Sequence, residues 1–384
     1  MKKLKTLFIS LTVITTLLHA REPFQDLTNA QDSINSFDTK LYQTLSRQEG
    51  NVNYSAISIY SLLYALQQGA EGKTREQICQ IIDLEPEQKT DTQLKKIITD
   101  TENMTNSLWY KKTLNIKNDY QRFIKDYAFF IKAVDFYQGP QVRKGINNFI
   151  SKKTDRFIEN FLQEDLPQDT QFVLLNTLYF NQKWKTSFDA SNTRKQSFHK
   201  NSQTQINIPM MHKTTVVPYY ENQDFQIVEF VYKDERYSMI VILPYDYDYD
   251  FTDIELHALL QTFNQKKRHK QVQIFFPKFD LTSNYNLIPV LRELGISAAF
   301  DPSACNLSKI FTDSKNLYVD TAIHQMRIQV NEKETKAAAV TMFGVKAAAA
   351  EPEILFNADH PFAYVIRDNK TGINLFTGIV RNPE

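Results

Sequence analysis

Residues Phe356 to Pro383 read FNADHPFAYVIRDNKTGINLFTGIVRNP. Two apolar runs, Phe362 to Arg367 and Ile373 to Val380, flank the turn formers Asp368, Asn369 and Gly372, which predicts two strands near the C-terminus. Further strand-like runs lie upstream at Phe172 to Asn181, Ile206 to Pro218, Phe225 to Tyr232, Tyr237 to Pro244, Val272 to Phe276 and Tyr318 to Val330. Helical periodicity dominates the first third, at Thr28 to Gln48, Ile57 to Gly69, Thr74 to Ile82 and Thr90 to Thr99. It returns at Lys144 to Phe161, Thr252 to Lys266 and Asn286 to Leu294. Helices first and then long runs of strand with helices between them predict an α+β protein with more than one sheet.

Composition agrees with a large packed core. The 384 residues are 42% hydrophobic and 12% aromatic, and only 9 are Gly, which leaves little material for glycine-rich phosphate loops or flexible linkers. No repeat, low-complexity tract or linker divides the chain after its first residues, so one domain over 21–384 is expected. Residues 1–20 have the layout of a secretory signal: Lys2, Lys3 and Lys5, an apolar stretch from Leu7 to Leu18, then Ala20. The apolar stretch is short of the roughly 20 residues that a spanning helix needs. Export is therefore expected, to the medium or a periplasm, with no membrane attachment once the signal is removed. Removal takes three lysines and no acid, leaving 42 basic against 44 acidic residues, a balance that does not favour nucleic acid. Cys79 and Cys305 read as two isolated thiols, and no HExxH or CxxC motif occurs, so neither metal nor cofactor is expected. Asn103-Met104-Thr105 and Asn369-Lys370-Thr371 are formal glycosylation acceptors, and Lys266 to Lys270, KKRHK, reads as a solvated turn.

The C-terminal segment resembles the C-terminal signature of the serpin family. Phe172 to Phe188, FVLLNTLYFNQKWKTSF, is similar to a serpin sheet strand with its Asn and Trp at fixed spacing, and Asn192-Thr193-Arg194 follows it. Asn53 to Gly72, NYSAISIYSLLYALQQGAEG, resembles the second helix of the family, and Ile208-Pro209-Met210-Met211 matches further on. These segments occur in family order and cover nearly everything after residue 25. The resemblance implies about nine helices around three β-sheets, with an exposed reactive loop at about 331–353. It also implies a monomer that traps a target protease as a covalent acyl-enzyme, and is itself no enzyme.

The loop, NEKETKAAAVTMFGVKAAAAEPEIL, has a pattern that physics can test. Its hinge is implied to be Glu332, Glu334, Thr335, Ala337, Ala338 and Ala339. Alternate positions from Thr335 give Thr335, Ala337, Ala339, Thr341, Phe343 and Val345, all small or apolar, while Glu334, Lys336 and Lys346 take the other parity. That is the pattern of a strand with one buried face, which a surface loop does not need. In the family the cut bond lies sixteen positions beyond the hinge glutamate, which from Glu332 implies Ala348–Ala349. Small residues there suit an elastase- or subtilisin-like protease; papain-like cysteine proteases remain open, as does a trypsin-like cut at Lys346. Glu334 stands where the family usually has Gly, and non-inhibitory members exist, so a binding or carrier protein is the alternative.

Four residues suggest a hydrolase at first sight. Ser55, Ser58, Asn176 and His324 combine hydroxyl, amide and imidazole, but Ser58 lies in a helical apolar pattern and no GxSxG elbow occurs. The resemblance implies instead a structural hydrogen-bonded cluster beneath the main sheet that sets how easily the sheet opens. It likewise implies a salt bridge between Lys278 and Glu332, near Trp184, where the loop enters.

Overall fold

The computed structural model describes residues 30–84, 92–313, 316–332 and 354–384. Apolar residues three and four apart turn one face of α1 (Ala30–Leu45) inward, burying Ile34, Phe37, Leu41 and Leu45. The helix α2 (Ala56–Gly69) is apolar almost all round, and every residue except Gln68 is buried. It therefore runs through the core and touches both sheets. The remaining α-helices among the described residues are α3 (Gly72–Ile81), α4 (Thr92–Asp100), α5 (Asn118–Asp126), α6 (Gly139–Lys153), α7 (Leu256–Lys266) and α8 (Leu287–Glu293).

The strands in chain order are β1 (Val52–Tyr54), β2 (Met104–Lys111), β3 (Phe130–Val134), β4 (Phe172–Phe180), β5 (Arg194–His199), β6 (Gln205–Glu221) and β7 (Phe225–Val231). They continue with β8 (Tyr237–Pro244), β9 (Arg268–Pro277), β10 (Phe279–Asn286), β11 (Thr321–Val330), β12 (Ile354–Asn357), β13 (Phe362–Asp368) and β14 (Ile373–Val380). Nine of them form one sheet in the order β1-β14-β13-β8-β7-β6-β9-β12, with β5 also on β6. The other five form a second sheet in the order β10-β11-β4-β2-β3.

The α+β class holds, with corrections of detail. Among the described residues there are eight α-helices and two sheets, where about nine and three were expected. The third sheet is not separate because β6 is 17 residues long: its end pairs with β7 and its middle with β9, joining what would be two sheets. The helix expected over Lys144 to Phe161 is α6, which begins earlier, with Pro140 in its first turn, and ends at Lys153. Beyond Thr154 the backbone turns left-handed at Asp155 and Arg156, which no helix can continue through. Cys79 and Cys305 are free thiols.

Candidate functional site: the seam of the five-stranded sheet

The strands β11 and β4 run parallel and side by side, from Thr321 opposite Val173 to Ile328 opposite Phe180. Both have antiparallel partners on their outer edges, β10 for β11 and β2 for β4. Parallel pairing is slightly less stable per residue than antiparallel pairing, so this seam is a weak line in the sheet. A chain leaving the end of β11 and folding back alongside it would run antiparallel to β11. It would therefore also run antiparallel to β4.

A row of buried polar side chains crosses the seam. His324 faces Asn176 in the register of β11 and β4, and Asn176 faces Asn106 in the register of β4 and β2. The backbone N–H of Ser55 donates to His324 Nε2 at 3.2 Å, so the ring hydrogen lies on Nδ1, which donates to Asn176 Oδ1 at 2.7 Å. Asn176 Nδ2 then donates to Asn106 Oδ1 at 2.7 Å, and Ser61 Oγ donates to the same oxygen at 3.2 Å. Burial pushes the His324 imidazole down to about 3, so it is neutral at any ordinary pH.

The expected cluster is thus brought together, with a different role for the serines. Ser55 acts through its N–H and, as cap of α2, through its Oγ, which accepts from Ser58 N at 3.3 Å. The Ser58 hydroxyl itself has no hydrogen-bond partner among the described residues, and all four residues are fully buried. A buried hydroxyl that neither His324 nor solvent reaches is no nucleophile. Asn106 and Ser61 were missed: Asn106 sits in Met104 to Lys111, whose polar Thr105, Asn106 and Ser107 hide a buried strand.

One register step further along, Thr177 and Gln325 face each other across the seam, and Thr177 Oγ1 and Gln325 Oε1 are buried with no partner among the described residues. Such groups cost free energy only while the sheet stays closed over them. Thr177→Val should therefore stabilise the uncut protein by about 1 kcal/mol, read as the midpoint of urea unfolding. An unchanged or lower midpoint would refute the cost assigned to the hydroxyl.

Where β11 ends, three connections converge on the next two residues. Trp184, just past β4, stacks on Tyr232 with ring centres 4.4 Å apart and donates its Nε1–H to the Asn331 carbonyl at 2.9 Å. Glu332 receives Lys278 Nζ at 2.8 Å and Thr193 Oγ1 at 2.7 Å. Burial alone would raise the Glu332 carboxyl, but the hydrogen bonds from Lys278 and Thr193 outweigh it and hold it below the usual carboxylate range. Lys213 of β6, which the sequence did not single out, pins the segment between Trp184 and Thr193. Its Nζ donates to the Thr186 carbonyl at 2.6 Å and lies 4.0 Å from the centre of the Phe188 ring, and burial pushes its ammonium down to about 7. The hinge positions Glu334, Thr335, Ala337, Ala338 and Ala339 and the bond Ala348–Ala349 lie outside the described residues.

These features define a class: a mixed α+β protein whose five-stranded sheet has a parallel seam, crossed by a polar row and clamped at one end, with no exposed nucleophile in its Ser–His cluster. Comparison with known proteins gives the class a name. The family model described as Serpin (serine protease inhibitor) matches residues 32–383. An uncharacterised serpin-like protein of Thermococcus kodakarensis is 32% identical over 92% of this chain and 85% of its own length. Plasminogen activator inhibitor 1 of Bos taurus is 30% identical over 94% of each chain. Among solved structures, protease nexin-1 superposes with a TM-score of 0.82 at 26% identity, covering 92% of this chain and all (100%) of that one. Uncleaved ovalbumin shares the fold, with a TM-score of 0.83 at 23% identity over 92% of this chain. The protein belongs to the serpin family.

Proposed function

We propose that this serpin is a suicide-substrate inhibitor of a serine protease that prefers small residues, elastase- or subtilisin-like. The observation that carries this reading is the match between loop and seam. From Thr335 to Val345 one parity is small or apolar, as a strand with one buried face requires. The chain leaving β11 at Val330 would, on folding back, convert the parallel β11–β4 pair into two antiparallel pairs. Strand addition of this kind is well known in the family and is not a new mechanism.

The chemistry is that of an interrupted proteolysis. The protease serine attacks the Ala348 carbonyl, an ester forms, and the Ala349 amine leaves with the proton from the protease histidine. The freed end of the loop then inserts and carries the ester-linked protease with it. If about a dozen residues gain ladder bonds of ~0.5–1.5 kcal/mol each, insertion is favourable by an amount of order 10 kcal/mol, comparable to the stability of a whole domain. The Glu332 clamp and the His324–Asn176 bond resist that insertion until the cut is made. In this reading the protein is exported through residues 1–20 and acts as a monomer outside the cytoplasm.

Substituting the residue before the cut tests the assignment. Ala348→Arg should give a trypsin-like protease a denaturation-resistant complex and slow complex formation with elastase at least 100-fold. Unchanged preference between the two enzymes would show that Ala348–Ala349 is not the reactive bond. The carrier reading is favoured by one observation, Glu334 in place of Gly, because a bulky charged residue in the hinge slows insertion. It predicts that Glu334→Gly converts a cleaved substrate into an inhibitor.

A further inference from the structure

A cavity of about 310 Å³ opens between the start of α1, the outer side of α4 and the turn joining β13 to β14. Its wall is apolar where Ile97, Ile373 and Leu375 meet, all three buried side chains. The charged groups deeper in the wall are already neutralised. Arg236 donates to Asp368 at 3.0 and 3.2 Å, to Glu102 at 3.0 Å and to the Asp100 carbonyl at 3.1 Å. Asp368 also accepts the Lys370 N–H at 2.9 Å, which fixes the turn. Lys96 and Lys370 are different: both are exposed residues that line the cavity, and neither ammonium has an ion pair or hydrogen bond among the described residues. Counting Glu102 behind the wall, three acids (Asp100, Glu102 and Asp368) balance three bases (Lys96, Arg236 and Lys370), so any preference for an anion comes from the placement of the two lysines and not from net charge.

We propose that this cavity binds a small amphiphile, with a carboxylate or sulfonate head held by Lys96 and Lys370 and an apolar body against Ile97, Ile373 and Leu375. A volume of about 310 Å³ equals roughly ten water molecules at ~30 Å³ each, so the body is a short alkyl chain or one or two rings. Burial of that body supplies affinity, and the two lysines supply the preference for an anion. None of the lining residues belongs to the seam, the loop-entry clamp or the reactive loop, so the site stands or falls apart from protease trapping.

The test uses decanoate as probe and the full mature chain, by isothermal titration calorimetry at low salt. Decanoate is expected to bind with one-to-one stoichiometry. The double variant Lys96→Glu, Lys370→Glu is expected to weaken it at least tenfold with an unchanged melting temperature, because both positions are on the surface. Decanol is expected to bind at least tenfold more weakly than decanoate. The proposal is overturned by no decanoate binding at millimolar concentration, by equal binding in the double variant, or by equal binding of decanol, which would indicate adsorption without head-group recognition.

Discussion

Cutting the protein between Ala348 and Ala349 is expected to raise its melting temperature by roughly 12 °C. The magnitude follows from two numbers. Insertion of the loop contributes an amount of order 10 kcal/mol, and unfolding entropy of ~2.1 cal/mol/K per residue gives roughly 0.8 kcal/mol/K for a chain of 384 residues. Dividing one by the other gives the shift. In the proposed reading the physical origin is local: the chain beyond Val330 would gain two antiparallel neighbours in place of the parallel β11–β4 pair. Differential scanning calorimetry before and after limited digestion reads the effect. A cut chain that melts at the same temperature or lower would mean that the loop does not insert, and would favour the carrier reading.

Acid is expected to affect stability through two buried groups of opposite sign. His324 is pushed by burial from an ordinary value of 6.5 down to about 3. A base lowered in the folded state contributes stability that is complete above pH 6.5 and is lost as pH falls towards 3, because only the unfolded chain takes up the proton. Asp38 is pushed by burial from 3.8 up to about 6, partly offset by donors from Asn374, Tyr54 and Thr377. An acid raised in the folded state contributes stability as pH falls through 6, because the folded protein then takes up the proton first. Between pH 7 and pH 4 the His324 loss is ~3 kcal/mol and the Asp38 gain ~2 kcal/mol, at 1.36 kcal/mol per pH unit. In Asp38→Asn the gain disappears, so acidification to pH 4 should destabilise this variant by about 2 kcal/mol more than it does the parent. In His324→Gln the loss disappears, and the same acidification should be better tolerated than in the parent by about 3 kcal/mol. Urea unfolding at both pH values measures these differences. Parallel pH dependence in all three proteins would contradict the burial assigned to the two groups.

How much the sequence disclosed depended on how its residues are buried. Strands covered on both faces are mostly apolar, and the apolar runs of β8 and β14 predict the bounds the structure has, although Ser238, Asn374 and Thr377 are buried in them. The strand β2 is buried through its middle, Thr105 to Trp109, but gives no apolar signal because Thr105, Asn106 and Ser107 are polar. The strand β10 alternates Phe279, Leu281 and Ser283 against polar neighbours, a period too dilute to stand out from a loop. The site followed the same rule. His324, Asn176 and Ser55 came from a resemblance over long motifs, and their geometry agrees with it. Asn106 and Lys213 were missed because their partners are brought to them by sheet register and by the packing of Phe188, neither of which local sequence encodes. The Lys278–Glu332 pair, 54 residues apart by numbering, closes only through the β10–β11 ladder, which pairs Phe279 with Val330. With Lys278 partly exposed, that pair contributes about 1 kcal/mol or less to stability, so its effect would lie in the timing of insertion.

Incubation with elastase and subtilisin, followed by denaturing electrophoresis and mass determination, addresses inhibition itself. Inhibition is expected to give a band that survives denaturation at the summed mass of inhibitor and protease, together with a released peptide whose first residue is Ala349. Complete cleavage by both enzymes into two fragments, with active protease recovered and no such band, would contradict it.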